Sequence, residues 1–305
     1  MRAMQENRPD NKTARSHILG PLSIIASAVL FGFMPLMTKT AYAHGWNAFS
    51  ASAGRFLIAS LILLVFLAVK PGMRIALTRK EMASVIKVAA VFAFVPIFLY
   101  GSYSYVGSGL ATTLHFSYPV FVVAFECLIY RVKVTKRQLA CLLLCMIGMV
   151  LIYTPGGDVS FTGIVLAVIS GVLFALYIVL YERSYAKTVP ALTFAFWQML
   201  ISSIEITLIG AIMGRMAIHF DRVGVISIIC LAVLAGFLGT IFFQIGIRLT
   251  DGIHASLLST FEPLTGVLVG IFYYREALTL RSAAGMAAIL AAAALLVVVG
   301  EKSET

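Results

Sequence analysis

The sequence predicts an all-α membrane protein: ten transmembrane helices arranged as two five-helix inverted repeats. Three observations carry this reading. Of the 305 residues, 61% are hydrophobic and only 12% are charged, whereas soluble domains carry about 45–50% apolar and about 25% charged residues. Ten apolar stretches follow one another, each near the roughly 20 residues that a helix needs to cross the hydrocarbon. Short motifs of the first half also recur in the second at a near-constant spacing.

The apolar stretches run 18–43, 48–69, 82–105, 108–129, 137–154, 161–182, 190–214, 224–248, 253–274 and 280–300. Turn signals stand at their joints, among them Lys70-Pro71-Gly72, Thr154-Pro155-Gly156-Gly157 and Asp251-Gly252. The first stretch follows Arg8, Lys12 and Arg15 and ends on Ala41-Tyr42-Ala43, as a cleavable leader would. Its apolar core from Ile18 to Leu36 exceeds the roughly 7–15 residues of such a leader, so it reads as an uncleaved first span. A tail of residues 1–17 then precedes two units, 18–154 and 161–300.

Basic residues on short loops set the orientation. With the amino terminus in the cytoplasm, sixteen Lys and Arg fall inside, Arg74, Arg131, Arg183 and Arg248 among them. Only Arg215, Arg222, Arg275 and Arg281 fall outside. Both termini are therefore expected in the cytoplasm, in a multi-pass protein of the bacterial cytoplasmic (inner) membrane. The net charge of +10 is explained by this loop bias, and no nucleic acid is expected as a partner. Cys127, Cys141, Cys145 and Cys230 all lie inside apolar runs. Cys141 and Cys145 share a helix face with no His, Asp or Glu nearby, so neither a metal site nor a disulfide framework is expected, and no cofactor is called for.

The internal repeat is the strongest single feature. Ser27-Ala28-Val29-Leu30-Phe31 matches Ser170-Gly171-Val172-Leu173-Phe174, an offset of 143. The run from Arg131 through Thr135 to Arg137 matches that from Arg275 through Thr279 to Arg281, an offset of 144, and Pro119 and Pro263 share that offset. Five spans is an odd number, so the second unit must enter the membrane from the opposite side. Inverted repeats are a signature of secondary transporters, because exchanging the conformations of two similar halves exchanges inward and outward access.

These motifs resemble the drug/metabolite transporter superfamily, specifically its ten-helix members with two EamA-type domains. The likeness rests on the duplicated Ser-x-Val-Leu-Phe, on Glu262-Pro263, and on Tyr273-Tyr274-Arg275-Glu276-Ala277-Leu278, where Glu276 fills the family's acidic place. Gly285 meets one of two glycines common in the last helix, and Ala292 or Ala293 stands at the other. The resemblance implies export or exchange of amino acids and other metabolites. The path would be a central cavity lined mainly by spans one, three, four, six, eight and nine.

Ionisable groups inside a membrane are costly and mark solute or ion pathways. Glu262 lies about ten residues into the ninth span, roughly 14 Å deep. With Ser259, Gly266 and Tyr273 it forms a small-and-polar stripe expected to face the cavity. Pro263 cannot donate to the carbonyl of Ser259, which leaves that oxygen open to solute or water. The competing reading of Glu262 is a protonated side chain bonded locally at the kink. The matching region of the fourth span holds His115, Tyr118 and Pro119, with Tyr118 at the repeat position of Glu262. His115 is a candidate for solute binding or proton transfer, or else a packing residue. Tyr100, Tyr177 and Gln244 complete the expected binding set, and Pro119 and Pro263 are the expected hinges. Arg55 and Gln198 are repeat mates at an offset of 143. For Arg55 the expectation is snorkelling or pairing with backbone carbonyls, with direct substrate contact as the competing reading.

The expected function is secondary transport of a small metabolite such as an amino acid, in the export direction, by alternating access around a cavity between the repeats. Its partners would be a small-molecule solute, membrane lipid and a coupling proton or ion, in a monomer or homodimer. The rival readings are an intramembrane hydrolase-like enzyme and a channel. Gly107-Ser108-Gly109 near His115 lacks an identifiable acid or oxyanion partner, and no ring of charge marks a selectivity filter.

Overall fold

The computed structural model describes residues 11–70, 72–152, 160–217, 219–274 and 279–298. The basic residues of the amino-terminal tail, the Arg275–Leu278 part of the ninth-span motif, and Lys302 lie outside the side chains so described. Among the described residues the first half consists of α1 (Asn11–Phe31), α2 (Met34–Ala43), α3 (Ala48–Val69), α4 (Arg79–Ser102), α5 (Ser108–His115), α6 (Tyr118–Leu128) and α7 (Lys136–Ile152). The second half consists of α8 (Phe161–Glu182), α9 (Ala191–Ile212), α10 (Arg222–Leu231), α11 (Thr240–Leu249), α12 (Gly252–Leu258), α13 (Phe261–Tyr274) and α14 (Leu280–Val298). Ala232–Gly239 joins α10 to α11 as a widened, π-helical stretch.

Among the described residues, eight of the spans are long and apolar enough to cross a membrane, and Leu280–Leu296 is a shorter apolar helix. Leu61, Val65 and Val69 on α3 and Leu143, Ile147 and Val150 on α7 stay exposed. In water that would be a liability; in lipid it is the expected outer surface. Polar side chains satisfy the helix starts. Asn47 and Ser50 form a reciprocal capping box on α3, and Thr78 and Glu81 form another on α4. Asp251 accepts from the His254 amide at the start of α12.

Three spans expected to be continuous are interrupted. The first breaks between Phe31 and Met34, ahead of Pro35; the fourth between His115 and Tyr118, ahead of Pro119; the ninth between Leu258 and Phe261, ahead of Pro263. A proline removes one backbone donor and clashes with the preceding turn, so each helix restarts one step off its old axis. The breaks in the fourth and ninth spans fall at repeat-related positions. The break in the first has no counterpart, because Ile178 stands in the sixth span where Pro35 stands in the first.

Repeat mates pack against one another in antiparallel fashion. At one end of α3 and α9, Phe49 meets Gly210 and Ser203 Oγ donates to the Ala53 carbonyl at 3.0 Å. Beyond the other end of α3, Thr193 and Trp197 donate to the carbonyls of Arg74 and Ile75 at 2.6 and 2.9 Å. The mates α7 and α14 cross at Gly148 and Gly285. A Cβ on Gly148 would stand 2.8 Å from the Gly285 carbonyl oxygen, and one on Gly285 would stand 2.6 Å from that of Gly148. Only residues without a side chain let the two backbones come so close. The last helix is thus anchored to the fifth span of its own chain.

Candidate functional site

Between the halves, at the level of the helix breaks, lies a cavity with contributions from both repeats. Phe31, Met34, Arg55, Pro96, Leu99, Tyr100 and His115 come from the first, and Phe174, Ala235, Thr240 and Glu262 from the second. It offers about 50 Å³ to the centre of a water molecule, room for a few waters at roughly 10–15 Å³ each. A metabolite needs the halves to part further.

Arg55 projects from α3 into this space and is 5% exposed. Its Nη1 donates to the Tyr100 hydroxyl at 2.8 Å and lies 3.0 Å from Met34 Sδ, and the guanidinium sits 4.3 Å from the centre of the Phe56 ring. Its Nε has no partner. The expectation that Arg55 snorkels or pairs with backbone carbonyls is therefore corrected: phenol, thioether and ring hold it inside the chamber. Glu262 enters from the second residue of α13. Its backbone packs against the break in the first span, where a Cβ on Gly32 would stand 2.9 Å from the Glu262 carbonyl oxygen. Its carboxylate reaches the cavity, and among the described residues it makes no ion pair with Arg55.

His115 closes the chamber from α5. Ser170 Oγ donates to the Ala167 carbonyl at 2.6 Å, so its oxygen accepts from His115 Nδ1 at 2.9 Å. This arrangement fixes the neutral tautomer that leaves Nε2 as an acceptor. The Phe174 ring lies 5.5 Å from the imidazole. The chamber can thus offer a cation, an acidic group and a neutral acceptor to one small solute, within an aromatic and aliphatic wall.

One face is sealed across the halves. Glu126 of α6, 2% exposed, pairs with Arg183 beyond α8. Within the second repeat, on the same face, Glu182 accepts from the Gly252 amide at 2.5 Å, and Arg248 Nε donates to the Tyr181 hydroxyl at 2.8 Å. On this same face α6 packs on α12, with the Tyr118 hydroxyl 3.4 Å from the Ser256 carbonyl oxygen. The repeat mates of those two helices, α13 and α5, have no comparable packing among the described residues. The sealed face is the one that carries Arg74, Arg131, Arg183 and Arg248, the basic face.

The profile of the EamA-like transporter family matches residues 18–154 and again 161–298. The chain belongs to that family. An uncharacterized transporter of Archaeoglobus fulgidus is 28% identical over 274 residues, covering 89% of this chain and 94% of its own length. A second uncharacterized transporter of the same organism is 24% identical over 187 residues, covering 61% of this chain and 66% of that one. A solved crystal structure superimposes with a TM-score of 0.78 at 16% identity, covering 96% of this chain and 99% of that chain; that likeness speaks for the fold.

Not all of the residues expected to bind solute in this EamA protein share the chamber. Glu262, His115 and Tyr100 line it; Ser259, Tyr118, Tyr177 and Gln244 stand behind its wall. The stripe on the ninth span fails at Tyr273, which is 67% exposed, because the break at Ser259–Thr260 turns α13 away from the register of α12. The Ser259 carbonyl is not free, since the Glu262 amide donates to it at 3.0 Å. The chain tightens by one residue at the break and supplies the donor that Pro263 lacks. The His115 carbonyl abuts Gly171, where a Cβ would stand 2.6 Å from its oxygen. The contacts of Arg55 and the Glu126–Arg183 pair are what sequence reasoning missed. The mid-span position of Arg55 was a signal, but its contact with Tyr100 spans 45 residues.

Proposed function

We propose that the chain is a secondary transporter that exports a small metabolite such as an amino acid by alternating access. The observation carrying this reading is the opposed, unpaired placement of Arg55 and Glu262 in a chamber between antiparallel repeats. A buried guanidinium and a buried carboxyl group that face a common space without touching leave polar capacity unmet in a membrane protein unless something polar comes between them. A solute with separated polar groups meets that requirement, and Tyr100 and His115 supply orienting bonds. Packing of α6 on α12 without a matching α5–α13 contact supports an access state open away from the basic face. Rocking the halves about Pro119 and Pro263 would exchange the two arrangements. Placing the basic face in the cytoplasm of a bacterial inner membrane follows from the loop charges.

Uptake by purified protein in liposomes tests this reading. Saturable uptake of a solute, lost in Glu262→Gln while the variant still elutes as folded protein, is the expected result. Unchanged saturable uptake in that variant would remove Glu262 from the site.

A further inference from the structure

The contacts around Arg55 have a counterpart in the second repeat. Met34, Arg55 and Tyr100 touch one another in the first repeat, with the Tyr100 hydroxyl 3.5 Å from Met34 Sδ. Moving along the chain by 143, 143 and 144 residues reaches Tyr177, Gln198 and Gln244. These three also touch one another: Gln244 Nε2 lies 2.6 Å from the Tyr177 hydroxyl and 3.4 Å from Gln198 Oε1, and that hydroxyl lies 3.5 Å from Gln198 Oε1. The same pairs of spans therefore build the same cluster twice, once at each end of the repeat symmetry.

Only one copy is open. The second is fully buried, with Gln198 and Gln244 both at 0% exposure. Phe92 and Phe174 cover it, their ring centres 4.7 and 5.5 Å from that of Tyr177. Each amide turns one end into the cluster and leaves the other, Gln198 Nε2 and Gln244 Oε1, with no partner. Two orphaned amide atoms in a dry core are expensive, so a group that spends time exposed or ligated accounts for them better than permanent burial does. Ser259 and Tyr118, the repeat mates of His115 and Glu262, are buried as well, and the Tyr118 ring centre lies 4.8 Å from that of Phe174, which covers the cluster.

We infer that Tyr177, Gln198, Gln244 and Ser259 form a second, uncharged solute subsite that opens toward the basic face when the halves exchange arrangements. The inference rests on the transporter reading above and adds a chemical asymmetry to it. Gln198 replaces Arg55 and Tyr118 replaces Glu262, so the second subsite carries no charge. It takes an uncharged group with both a donor and an acceptor, such as a hydroxyl or carboxamide. A charged group is anchored only at Arg55 and Glu262. A charged solute is consequently held more tightly in the state open away from the basic face, and differential affinity of this kind biases the equilibrium between the two states.

Thiol labelling from each side of the membrane tests this without a known solute. Cys127, Cys141, Cys145 and Cys230 are replaced by alanine. Gln198→Cys, Gln244→Cys, the near-isosteric Ser259→Cys, and Arg55→Cys are then introduced singly and checked for folding by size exclusion. Right-side-out and inside-out vesicles receive membrane-impermeant methanethiosulfonates, anionic (2-sulfonatoethyl) or cationic (trimethylammonium-ethyl). The expected result is modification at 55 from the face opposite the basic one, and at 198, 244 and 259 from the basic face. The anionic and cationic reagents should react at similar corrected rates at 198. Adding Glu126→Ala, which breaks the seal, should shift the two patterns in opposite directions by about tenfold, the usual scale of such coupling. Ser259→Cys keeps the test open if the glutamine variants do not fold. Reaction at 55 with none at 198, 244 or 259 from either face would overturn the second subsite and leave the chamber standing. Modification of those three from the same face as 55, or a strong charge preference at 198, would also overturn it. No reaction at 55 from either side would instead defeat the transporter reading.

Discussion

Arg55 and Glu262 face one cavity from opposite repeats and do not pair with each other. The guanidinium is held by Tyr100 and Met34, and the carboxylate enters at the restart of the ninth span. A direct contact would satisfy both groups and close the space between them. Because the guanidinium is fixed elsewhere, the space between the two groups stays open.

Arg55→Gln places in the first repeat the residue that the second repeat carries at the matching position, so folding should survive. Solute binding should not. A hydrogen bond to a charged group contributes about 1.5–3 kcal/mol, so apparent affinity should fall by roughly tenfold or more. Thermal stabilisation measured against a panel of amino acids, nucleosides and organic cations checks this. A hit that stabilises wild type and Arg55→Gln alike would place Arg55 outside the site.

Breaking the seal on the basic face should lower stability as well as shift access. Glu126 is 2% exposed and its partner Arg183 is 37% exposed. The cost of Glu126→Ala should therefore fall between the ~1 kcal/mol of a surface pair and the ~3–5 kcal/mol of breaking a buried one. Thermal unfolding in detergent reads it, and a midpoint equal to that of wild type would show that the pair contributes nothing.

Two glycines separate close packing from open space. Gly171→Ala puts a methyl 2.6 Å from the backbone oxygen of His115, whereas Gly266→Ala meets nothing within 4 Å. The first should destabilise by about 1–3 kcal/mol. The second should be neutral or slightly stabilising, by less than about 1 kcal/mol. Equal unfolding midpoints for the two variants would contradict the α5–α8 contact.

Outside the membrane, Asp221 caps α10 and pairs with His44. The Gly224 amide, followed by His44 and the Val223 amide, holds its carboxyl below the ordinary aspartate value. A carboxylate depressed in the folded state adds stability above its unfolded value, near ~3.9, and loses it as pH falls through the folded value. Asp221→Asn should therefore unfold earlier than wild type at neutral pH and converge with it as the pH falls below the depressed folded-state value. A gap that stays constant across that range would exclude the carboxylate as its cause.

Much of the architecture was legible because the bilayer imposes it. Span length, loop charge and an odd repeat are one-dimensional properties, and α3 against α9 and α7 against α14 realise them. Glu262 and His115 were findable as polar groups beside helix-breaking prolines, and Tyr100 as a polar ring on a neighbouring span. Ser259 was grouped with them by helical spacing, Tyr118 by its repeat position, and Tyr177 and Gln244 as ring and amide groups. Sequence treats the two repeats alike, whereas the structure opens one copy of the duplicated surface to the cavity and buries the other. The snorkelling reading of Arg55 failed for another reason: its partners, Tyr100 and Met34, are distant in the chain, and a lone cation gives no hint of them. The Glu126–Arg183 pair is similarly a contact between spans that no local spacing encodes.

Counterflow tests the central claim most directly. Liposomes containing the purified protein are loaded with an unlabelled solute identified by thermal stabilisation, then diluted into a trace of the labelled form. A transporter whose chamber opens to one side at a time should drive transient accumulation of label above equilibrium, and Glu262→Gln should abolish it. Label that merely equilibrates, at a rate indifferent to the internal load and to residue 262, would contradict the account.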